Sequence, residues 1–545
     1  MSRQLLITSA LPYANGPLHF GHLLEHVQTD IWVRVNKLLE NECIYVCASD
    51  AHGTPVMLKA EDEGVEPEDL IKNITKMHKK SLEGFYINHD NYHTTHSKEN
   101  KKYSELIFSR ANKKGLIVKK TIEQLFDESK GLFLSDRYVQ GTCPSCNSEN
   151  QYGDNCENCG AKYEATELKN PISTFSGQAP SIKESEHLFF DLSLLENEIS
   201  SWIKDTNLQT AVKNKLKEWF DEGLRPWDIS RDKPYFGFNI PGYEDKYFYV
   251  WLDAPIGYIA SLDNFLSSSS SNISTEDIWN KDSDVDIYHF IGKDILNFHT
   301  LFWPALLDAG DFKKPKNVFV HGFMTLNGKK MSKSKGNFLL IEDYLDLLQP
   351  DYMRYFLATK LSNGIDDLDL DLLDFQKKVN TDLVGKFINI ASRSQSFLKQ
   401  FDNKTSSNLD ESLLNLFVSK KEEIFNHYLD RNYSKALKEV MKLADQANQY
   451  VDKNEPWILN KDPINKAEVH KIASTAINLF RILNLYLEPV IPNTSATIKK
   501  YLKCEDNIQD IDNFLKDFEI NTFSPLITRI EDEEINKLIE VCKNG

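Results

Sequence analysis

Two histidines stand close together early in the chain, where an apolar segment gives way to a helical pattern. The tetrapeptide His19-Phe20-Gly21-His22 follows residues 12–17, a loop with two prolines and a glycine. The start of a helix presents unpaired N–H groups and the positive end of the helix dipole, so phosphate binds well there. His19 and His22 add ring donors, and Gly21 lets a flat base approach the backbone. The tetrapeptide predicts a nucleotide site, although two histidines beside a loop can also be incidental.

A second segment that could do chemistry is rich in lysine, serine and glycine. Residues 329–337 read KKMSKSKGN. The ammonium groups of Lys330 and Lys333 can meet the charge that develops on a departing phosphate group. Taken alone, the segment is better interpreted as an ordinary solvated loop.

Four of the eight cysteines lie within 17 residues as two CxxC pairs, Cys143 with Cys146 and Cys156 with Cys159. Four thiolates on two short turns suit a closed, tetrahedral, structural Zn²⁺ site with no position for a catalytic water. A disulfide framework is disfavoured because the N-terminus turns polar too soon for a signal peptide. Buried or redox-active cysteines are the weaker alternative.

The elements that must position these residues follow a doubly wound α/β pattern. An apolar run at 3–11 precedes the loop, a helical pattern runs from about residue 21 to 39, and a second strand spans 44–48. Strand, loop, helix, strand opens a nucleotide-binding sheet whose ligands lie at the carboxyl ends of its strands. Apolar strands at 287–291 and 318–321 fit the same sheet.

Length, charge and composition restrict the classes of protein to which the chain can belong. The chain has 545 residues, which predicts several packed units. Its net charge of −17 argues against a uniformly basic nucleic-acid-binding surface, but lysine clusters allow local basic tracks. No apolar run is long enough for a membrane span, so we expect a cytoplasmic protein without a membrane partner.

Together the HFGH and KMSKS segments resemble the HIGH and KMSKS signatures of class I aminoacyl-tRNA synthetases. Four further stretches narrow the resemblance to the methionyl-tRNA synthetases: SALPYANG at 9–16, DAHGTP at 50–55, WLDAPIGY at 251–258 and FIGKD at 290–294. The resemblance runs from residue 4 to about residue 540. HFGH differs from the commonest spelling at its second position, which stays apolar.

This resemblance implies an ATP-dependent ligase that converts L-methionine to methionyl-adenylate and transfers it to elongator and initiator methionine tRNA. His19, His22, Lys330 and Lys333 would be catalytic, and with Gly21 they would bind ATP, which carries Mg²⁺. The same resemblance places the cysteine cluster near the acceptor end of the tRNA.

The resemblance also assigns a methionine pocket. Asp50 would hold the α-ammonium group, which suits a carboxylate at a strand end. Aromatic and adaptable apolar walls suit a polarizable thioether. The expected pocket residues are Leu11, Tyr13, Asp50, Trp251, Ala254, Pro255, Tyr258, Ile295 and His299. Without the resemblance, Trp251 and Tyr258 would be interpreted as core aromatics.

A helix predicted around residues 376–399 carries the proposed RNA contacts. Its spacing predicts an apolar stripe of Val379, Leu383, Phe387, Ile390 and Phe397, and beside it a polar stripe of Asp382, Lys386, Asn389 and Arg393. By resemblance, Asn389, Arg393 and Trp457 contact the anticodon, whose splayed bases are read by hydrogen bonds and stacking. The pattern alone favours an ordinary solvated helix face.

The expected architecture is a split, doubly wound (Rossmann-type) parallel-sheet core with a zinc-knuckle insert and an all-α C-terminal bundle. Its predicted units are core 1–97, insert 98–249, core 250–323, KMSKS loop and linker 324–380, and anticodon-binding bundle 381–545. Many relatives continue into a further tRNA-binding, dimerising domain. The given sequence stops soon after the helix bundle, so we expect a monomer.

Two alternatives remain open at this point. Other class I synthetases are disfavoured, because the branched-chain enzymes carry a larger editing insert and a cysteine enzyme would use zinc as a substrate ligand. A nucleic-acid-binding module without catalysis would share the knuckle and the bundle. The intact HFGH and KMSKS segments speak against it.

Overall fold

The computed structural model describes residues 2–134, 138–153, 156, 158–161, 163–269, 273–330, 338–524 and 527–544. Within these ranges, no helix combines the length and the apolar character needed to cross a membrane.

The N-terminal part alternates strands and helices in the predicted order. Its elements are β1 (Gln4–Ser9), α1 (Phe20–Leu38), β2 (Glu42–Ser49), α2 (Thr54–Glu63), α3 (Pro67–Gly84) and β3 (Asn91–Thr94). Helix α1 forms because its apolar residues recur at helical spacing, and Leu23, Val27 and Ile31, which share one face at this spacing, are fully buried.

The middle of the chain is an insert of antiparallel sheets and helices. Its elements are α4 (Lys98–Lys113), β4 (Ile117–Asp127), β5 (Leu132–Phe133), β6 (Val139–Thr142), β7 (Gln151–Tyr152), β8 (Lys169–Ser173), β9 (Ser181–Phe190), α5 (Glu196–Asp205), α6 (Thr210–Glu222), β10 (Trp227–Asp228), β11 (Ser230–Asp232) and β12 (Lys246–Phe248). Strands β4 and β9 form a long antiparallel pair. The cysteine cluster lies beside the small sheet β7-β6-β8.

The chain then returns to the first sheet. It adds α7 (Val250–Asp253), α8 (Gly257–Ser268), α9 (Thr275–Trp279), β13 (Asp286–Gly292), α10 (Trp303–Ala309) and β14 (Asn317–His321). The result is a five-stranded sheet of order β14-β13-β1-β2-β3 in which every neighbouring pair is parallel. The predicted split parallel sheet is confirmed.

A short linking region leads into a helical C-terminal part. The linking elements are β15 (Met324–Leu326), β16 (Lys329–Lys330), α11 (Ile341–Leu345), α12 (Pro350–Lys360) and β17 (Leu368–Leu370). The helices that follow are α13 (Leu372–Lys378), α14 (Asn389–Leu398), α15 (Glu411–Val418), α16 (Lys421–Leu429), α17 (Tyr433–Asn454), α18 (Pro456–Leu459), α19 (Lys466–Leu487), α20 (Pro492–Leu502) and α21 (Asp532–Asn544). The predicted all-α C-terminal part is confirmed.

The helix predicted around 376–399 is present but not regular. Its stretch Val379–Ile388 is π-helical and joins α13 to α14. A π-helix has more residues per turn, so positions beyond it rotate relative to a regular helix. The predicted apolar stripe nevertheless faces the core: Val379, Leu383, Phe387 and Ile390 are fully buried, and the half-buried Phe397 packs against the same core. Asp382, predicted for the polar stripe, is buried and accepts a hydrogen bond from the Tyr355 hydroxyl at 2.9 Å.

Candidate active site

One cavity of about 740 Å³ opens where β1, β2, β13 and β14 end. Ligands of doubly wound sheets bind at this edge. Every residue predicted for the methionine pocket lines the cavity, namely Leu11, Tyr13, Asp50, Trp251, Ala254, Pro255, Tyr258, Ile295 and His299. His19, Gly21 and His22 line it as well. The fold thus brings together residues that are up to 288 positions apart in the sequence, from Leu11 to His299.

The histidine pair forms the cap of α1. The Nδ1 atom of His19 accepts the backbone N–H of Gly21 at 3.0 Å, and the Nδ1 atom of His22 accepts the backbone N–H of His19 at 3.3 Å. Because both Nδ1 atoms accept, each neutral ring carries its proton on Nε2. Burial lowers the pKa of both imidazoles, and for His22 the neighbouring His19 adds to the effect. The cap therefore holds two neutral rings with Nε2–H donors.

Asp50 follows directly after β2. Its backbone pairs with the loop after β1, where Asp50 N–H donates to the Pro12 carbonyl at 2.9 Å and Ala14 N–H donates to the Asp50 carbonyl at 2.7 Å. The side chain is buried, and its Oδ1 has no hydrogen-bond partner among the described residues. Burial, and after it the nearby Asp253, raises the pKa of this carboxyl well above its usual value. A cation entering the cavity would relieve both effects.

The apolar part of the cavity is walled by paired aromatic rings. Trp251 on α7 stacks on Phe298 with ring centroids 4.0 Å apart and planes 8° apart. The Nδ1–H of His299 donates to the Ile295 carbonyl at 3.1 Å, so its Nε2 accepts from the Tyr258 hydroxyl at 2.8 Å. Burial lowers the pKa of His299 to about 4. The wall is therefore rigid and uncharged.

A glycine in the DAHGTP stretch is required by close packing. Gly53 has a φ of +116°, and a Cβ there would lie 2.8 Å from the hydroxyl oxygen of Tyr13. A larger residue would be strained and would push Tyr13 out of the cavity wall.

The cavity also contains charged residues that the sequence analysis did not predict. Arg231 on β11 places its guanidinium 3.6 Å from the Tyr249 ring centroid and pairs with Asp228 at 3.2 Å. Glu25 and His321 face each other at 3.4 Å, and Asp294 lies beside them in the lining. Arg231 belongs to no periodic pattern, and only its proximity to the cavity reveals it.

The side chains of the two lysines predicted for catalysis are not among those that the structure describes. The backbone of Lys330 belongs to β16, but its side chain lies outside the described part, as does all of Lys333.

The four predicted cysteines are brought together. Their sulfur atoms all lie within 4.8 Å of one another. Within each pair, the backbone N–H of the second cysteine points at the sulfur of the first, at 3.5 Å for Cys146 to Cys143 and 3.4 Å for Cys159 to Cys156. Such N–H groups stabilise a thiolate. This donor set fits a structural Zn²⁺ ion.

The predicted anticodon contacts also lie together, on one edge of the bundle. Arg393 on α14 lies over the Trp457 ring at 5.2 Å, and 41% of Trp457 is exposed. Residues on α14 and α17 pair across this edge: Asn389 with Asn448 at 3.1 Å, and Arg393 with Asp452. An exposed aromatic ring beside a guanidinium is a suitable surface for an unstacked base.

Known proteins with similar sequences decide the family. A family profile described as tRNA synthetases class I (M) matches residues 5–395, and one described as the anticodon binding domain of methionyl tRNA ligase matches residues 402–540. A methionine–tRNA ligase from Vesicomyosocius okutanii subsp. Calyptogena okutanii (strain HA) is 51% identical over 545 residues, 99% of this chain and 100% of the relative. The chain belongs to the methionyl-tRNA synthetase family.

Solved structures of methionyl-tRNA synthetases share the fold. Two from Mycobacterium tuberculosis, both with methionyl-adenylate, superpose with TM-scores of 0.80 and 0.78 at 23% and 22% identity. The matches cover 96% and 97% of this chain and 99% of each structure. The predicted fold class is thereby confirmed for this chain, whereas the limits of the units predicted from its sequence stay predictions.

Proposed function

We propose that the cavity at the strand ends activates L-methionine with ATP, and that the chain transfers the methionyl group to elongator and initiator methionine tRNA. The observation that carries this proposal is the combination found in one cavity: a buried carboxylate with one oxygen that no described residue bonds, an aromatic pocket, and two ring donors at a helix start. These groups are suited to bind an amino acid next to a nucleotide.

In this proposal, Asp50 holds the α-ammonium group of methionine and the aromatic wall holds its side chain. An ammonium group compensates the buried charge of Asp50. The thioether, a weak acceptor, packs against Trp251 and beside the Tyr258 hydroxyl, whose proton is already committed to His299. The pocket thus favours an unbranched, uncharged side chain.

ATP is proposed to lie over the start of α1. The Nε2–H groups of His19 and His22 donate to phosphate oxygens, and Gly21 leaves room for the base. Arg231 adds a fixed positive charge to the lining. Mg²⁺ that enters with ATP would supply further charge neutralisation at the phosphates.

The chemistry then needs only positioning and charge stabilisation. A carboxylate oxygen of methionine attacks the α-phosphorus of ATP, the new P–O bond forms, and the bond to pyrophosphate breaks. Lys330 and Lys333 are proposed to stabilise the charge on the departing pyrophosphate. In the second step, a hydroxyl of the terminal tRNA ribose attacks the carbonyl carbon, and AMP leaves. No covalent bond to the protein forms.

Cys143, Cys146, Cys156 and Cys159 are proposed to hold one structural Zn²⁺ ion. All four positions of a tetrahedral ion would be taken by sulfur, so the ion would stabilise the insert and would not activate water. Cys146→Ser should release the metal and loosen the insert, and elemental analysis of the purified protein tests this.

Asn389, Arg393 and Trp457 are proposed to bind the anticodon. This edge of the bundle is separate from the cavity lining. The predicted monomeric state and cytoplasmic location stay predictions, and light scattering of the purified chain tests the first of them.

Comparing the two half-reactions tests the proposal. Trp457→Ala should leave ATP–pyrophosphate exchange near the wild-type rate and lower tRNA charging about tenfold, because stacking of a base contributes roughly 1–3 kcal/mol. Leu416→Ala, which also truncates an exposed apolar side chain on the bundle, is the control and should change neither rate. Equal losses in exchange and charging would make Trp457 a packing residue and contradict its assignment.

A further inference from the structure

Beneath the cavity lies a second cluster of metal-binding groups, to which the proposed reaction assigns no role. It consists of His26 on α1, Cys47 on β2 and His89 in the segment between α3 and β3. One nitrogen of each histidine and the sulfur of Cys47 lie within 4.8 Å of one another. Only this trio and the four-cysteine cluster meet that criterion in the part of the chain that the structure describes.

Two members of the trio are buried, and one nitrogen of each histidine lacks a partner among the described residues. His26 is 1% exposed and Cys47 is 0% exposed. The Nε2 atoms of His26 and His89 are both buried, and neither has a hydrogen-bond partner within the described ranges. Unpaired buried nitrogens are costly and therefore rare, so two in one cluster point to a ligand between them.

We propose that His26, Cys47 and His89 form a second metal site, which takes a thiophilic divalent cation such as Zn²⁺ or Cd²⁺. Two imidazoles and one thiolate are the donors that such ions prefer, whereas Mg²⁺ and Ca²⁺ require oxygen. The His26 and His89 rings are neutral, because burial lowers the pKa of both, to about 3 for His89. They can therefore coordinate without first losing a proton.

Binding requires two changes in the cluster. The Cys47 thiol must release one proton to solvent as the metal–sulfur bond forms. Tetrahedral bonds of about 2.0–2.3 Å place ligand atoms roughly 3.5 Å apart, so the three side chains must close up by about an ångström. A fourth position remains for water.

Metal binding at the trio should affect the cavity, because two of the three residues lie close to residues proposed for catalysis and substrate binding. His26 lines the cavity one helical turn after His22, and Cys47 on β2 precedes Asp50 by three residues. A cation that joins the trio would tie α1 to β2 directly beneath these two residues. Occupancy should therefore slow ATP–pyrophosphate exchange by shifting His26 in the cavity wall.

Counting bound metal tests the proposal independently of any activity. The zinc-loaded full chain is incubated with Cd²⁺, freed of unbound metal by gel filtration, and analysed for zinc plus cadmium. Wild type should carry one ion per chain more than Cys47→Ala and more than His89→Phe. Cys43→Ala, which removes another cysteine of β2, should keep the additional ion.

Measuring the unfolding temperature with and without Cd²⁺ keeps the test valid if a variant folds poorly. Bound Cd²⁺ should raise the unfolding temperature of wild type and Cys43→Ala but not that of His89→Phe, whose ring can still pack on Tyr45. Equal metal content in wild type and in the two trio variants would overturn the proposal, and a buried water would then explain the nitrogens. Loss of the additional ion in Cys43→Ala would equally overturn it.

Discussion

The carboxylate of Asp50 lies at the end of β2, and its Oδ1 accepts no hydrogen bond from any described residue. Its neighbour Asp253 is instead paired with His52, whose second ring nitrogen lies 2.9 Å from His96. Each carboxylate keeps one oxygen without a partner among the described residues, but Asp50 lines the cavity and Asp253 does not. This difference makes Asp50 the better candidate for binding an ammonium group.

Asp50→Asn should weaken methionine binding while keeping the shape of the side chain. Losing one member of a buried charge pair costs about 2 kcal/mol or more, so kcat/KM for methionine in exchange should fall roughly thirtyfold. Because the pKa of Asp50 is raised, wild-type methionine binding should also weaken toward acid pH as this carboxyl takes up a proton.

The variant should lack that part of the pH dependence. Asp62→Asn, which changes an exposed aspartate of α2, is the matched control and should behave as wild type. A loss in Asp50→Asn confined to the KM for ATP would contradict the assignment.

The residues of the cavity were predictable to different degrees. His19 and His22 could be proposed from the chemistry of a helix start, and their mutual capping follows from their spacing. Trp251 and Tyr258 could be placed in a pocket only by family resemblance, because aromatic residues usually pack in cores. Arg231 was not predicted, since a lone arginine in an insert carries no local signal.

The helices and strands, like the cavity residues, were predictable from the sequence to different degrees. The spacing of apolar residues predicted α1 and four of the five strands of the parallel sheet to within a few residues, whereas the short strand β3 was not predicted. The same reasoning misplaced Asp382, which lies in the π-helical stretch, because the rotation per residue changes there and the pattern shows no sign of it. The Tyr355 hydroxyl that donates a hydrogen bond to Asp382 comes from α12, which no pattern within residues 376–399 can reveal.

A buried imidazole joins β9 to the strand segment that carries Arg231. His187 is 0% exposed, and its ring nitrogens lie 2.7 Å from Asp228 and 2.8 Å from Asp232. Burial opposes the charged ring, but the hydrogen bonds that the ring donates to the two carboxylates outweigh it and raise the pKa of His187. Lys246 and Arg231 pair with the same carboxylates.

His187→Gln should destabilise the protein most at mildly acid pH. A raised pKa means that the charged ring stabilises the fold below its unfolded pKa near 6.5, and that this contribution is lost as pH rises through the folded value. Hydrogen bonds to charged groups contribute about 2 kcal/mol. The difference in unfolding temperature between wild type and variant should therefore be large at pH 6 and shrink above it.

The neighbouring Glu186→Gln removes an exposed ion pair with Lys119 on the same strand pair. Exposed pairs contribute little, so this control should change the unfolding temperature slightly at either pH. A destabilisation by His187→Gln that grows with pH would show that the ring is neutral in the folded protein.

The catalytic core and the helical bundle are joined through α1, the helix that begins with the histidine pair. Asp30 pairs with Arg354 at 2.6 Å, and Arg354 also donates to the carbonyls of Val490 and Pro489. The Trp32 indole donates to the Leu429 carbonyl at 3.0 Å, and the Tyr433 hydroxyl donates to the Gln28 carbonyl at 2.8 Å. The fold class was predictable from sequence patterns, but these contacts between distant segments were not.

Arg354→Met should strongly destabilise the protein. The guanidinium and Asp30 are both buried, and removing one member of such a pair costs about 3–5 kcal/mol. A clear fall in unfolding temperature is expected by circular dichroism. Lys360→Met, which removes a partly exposed pair with Asp374 from the same helix, should have a much smaller effect. Similar effects of the two changes would mean that the buried pair does not hold the core to the bundle.

Exchange of labelled pyrophosphate into ATP, measured with each protein amino acid in turn, tests the central claim most directly. The cavity has one buried carboxylate for the ammonium group and a rigid, uncharged aromatic wall for the side chain. The account predicts rapid exchange with methionine, and slow or no exchange with leucine, isoleucine, valine and cysteine. Faster exchange with any of these four than with methionine, or no exchange with methionine, would contradict the account.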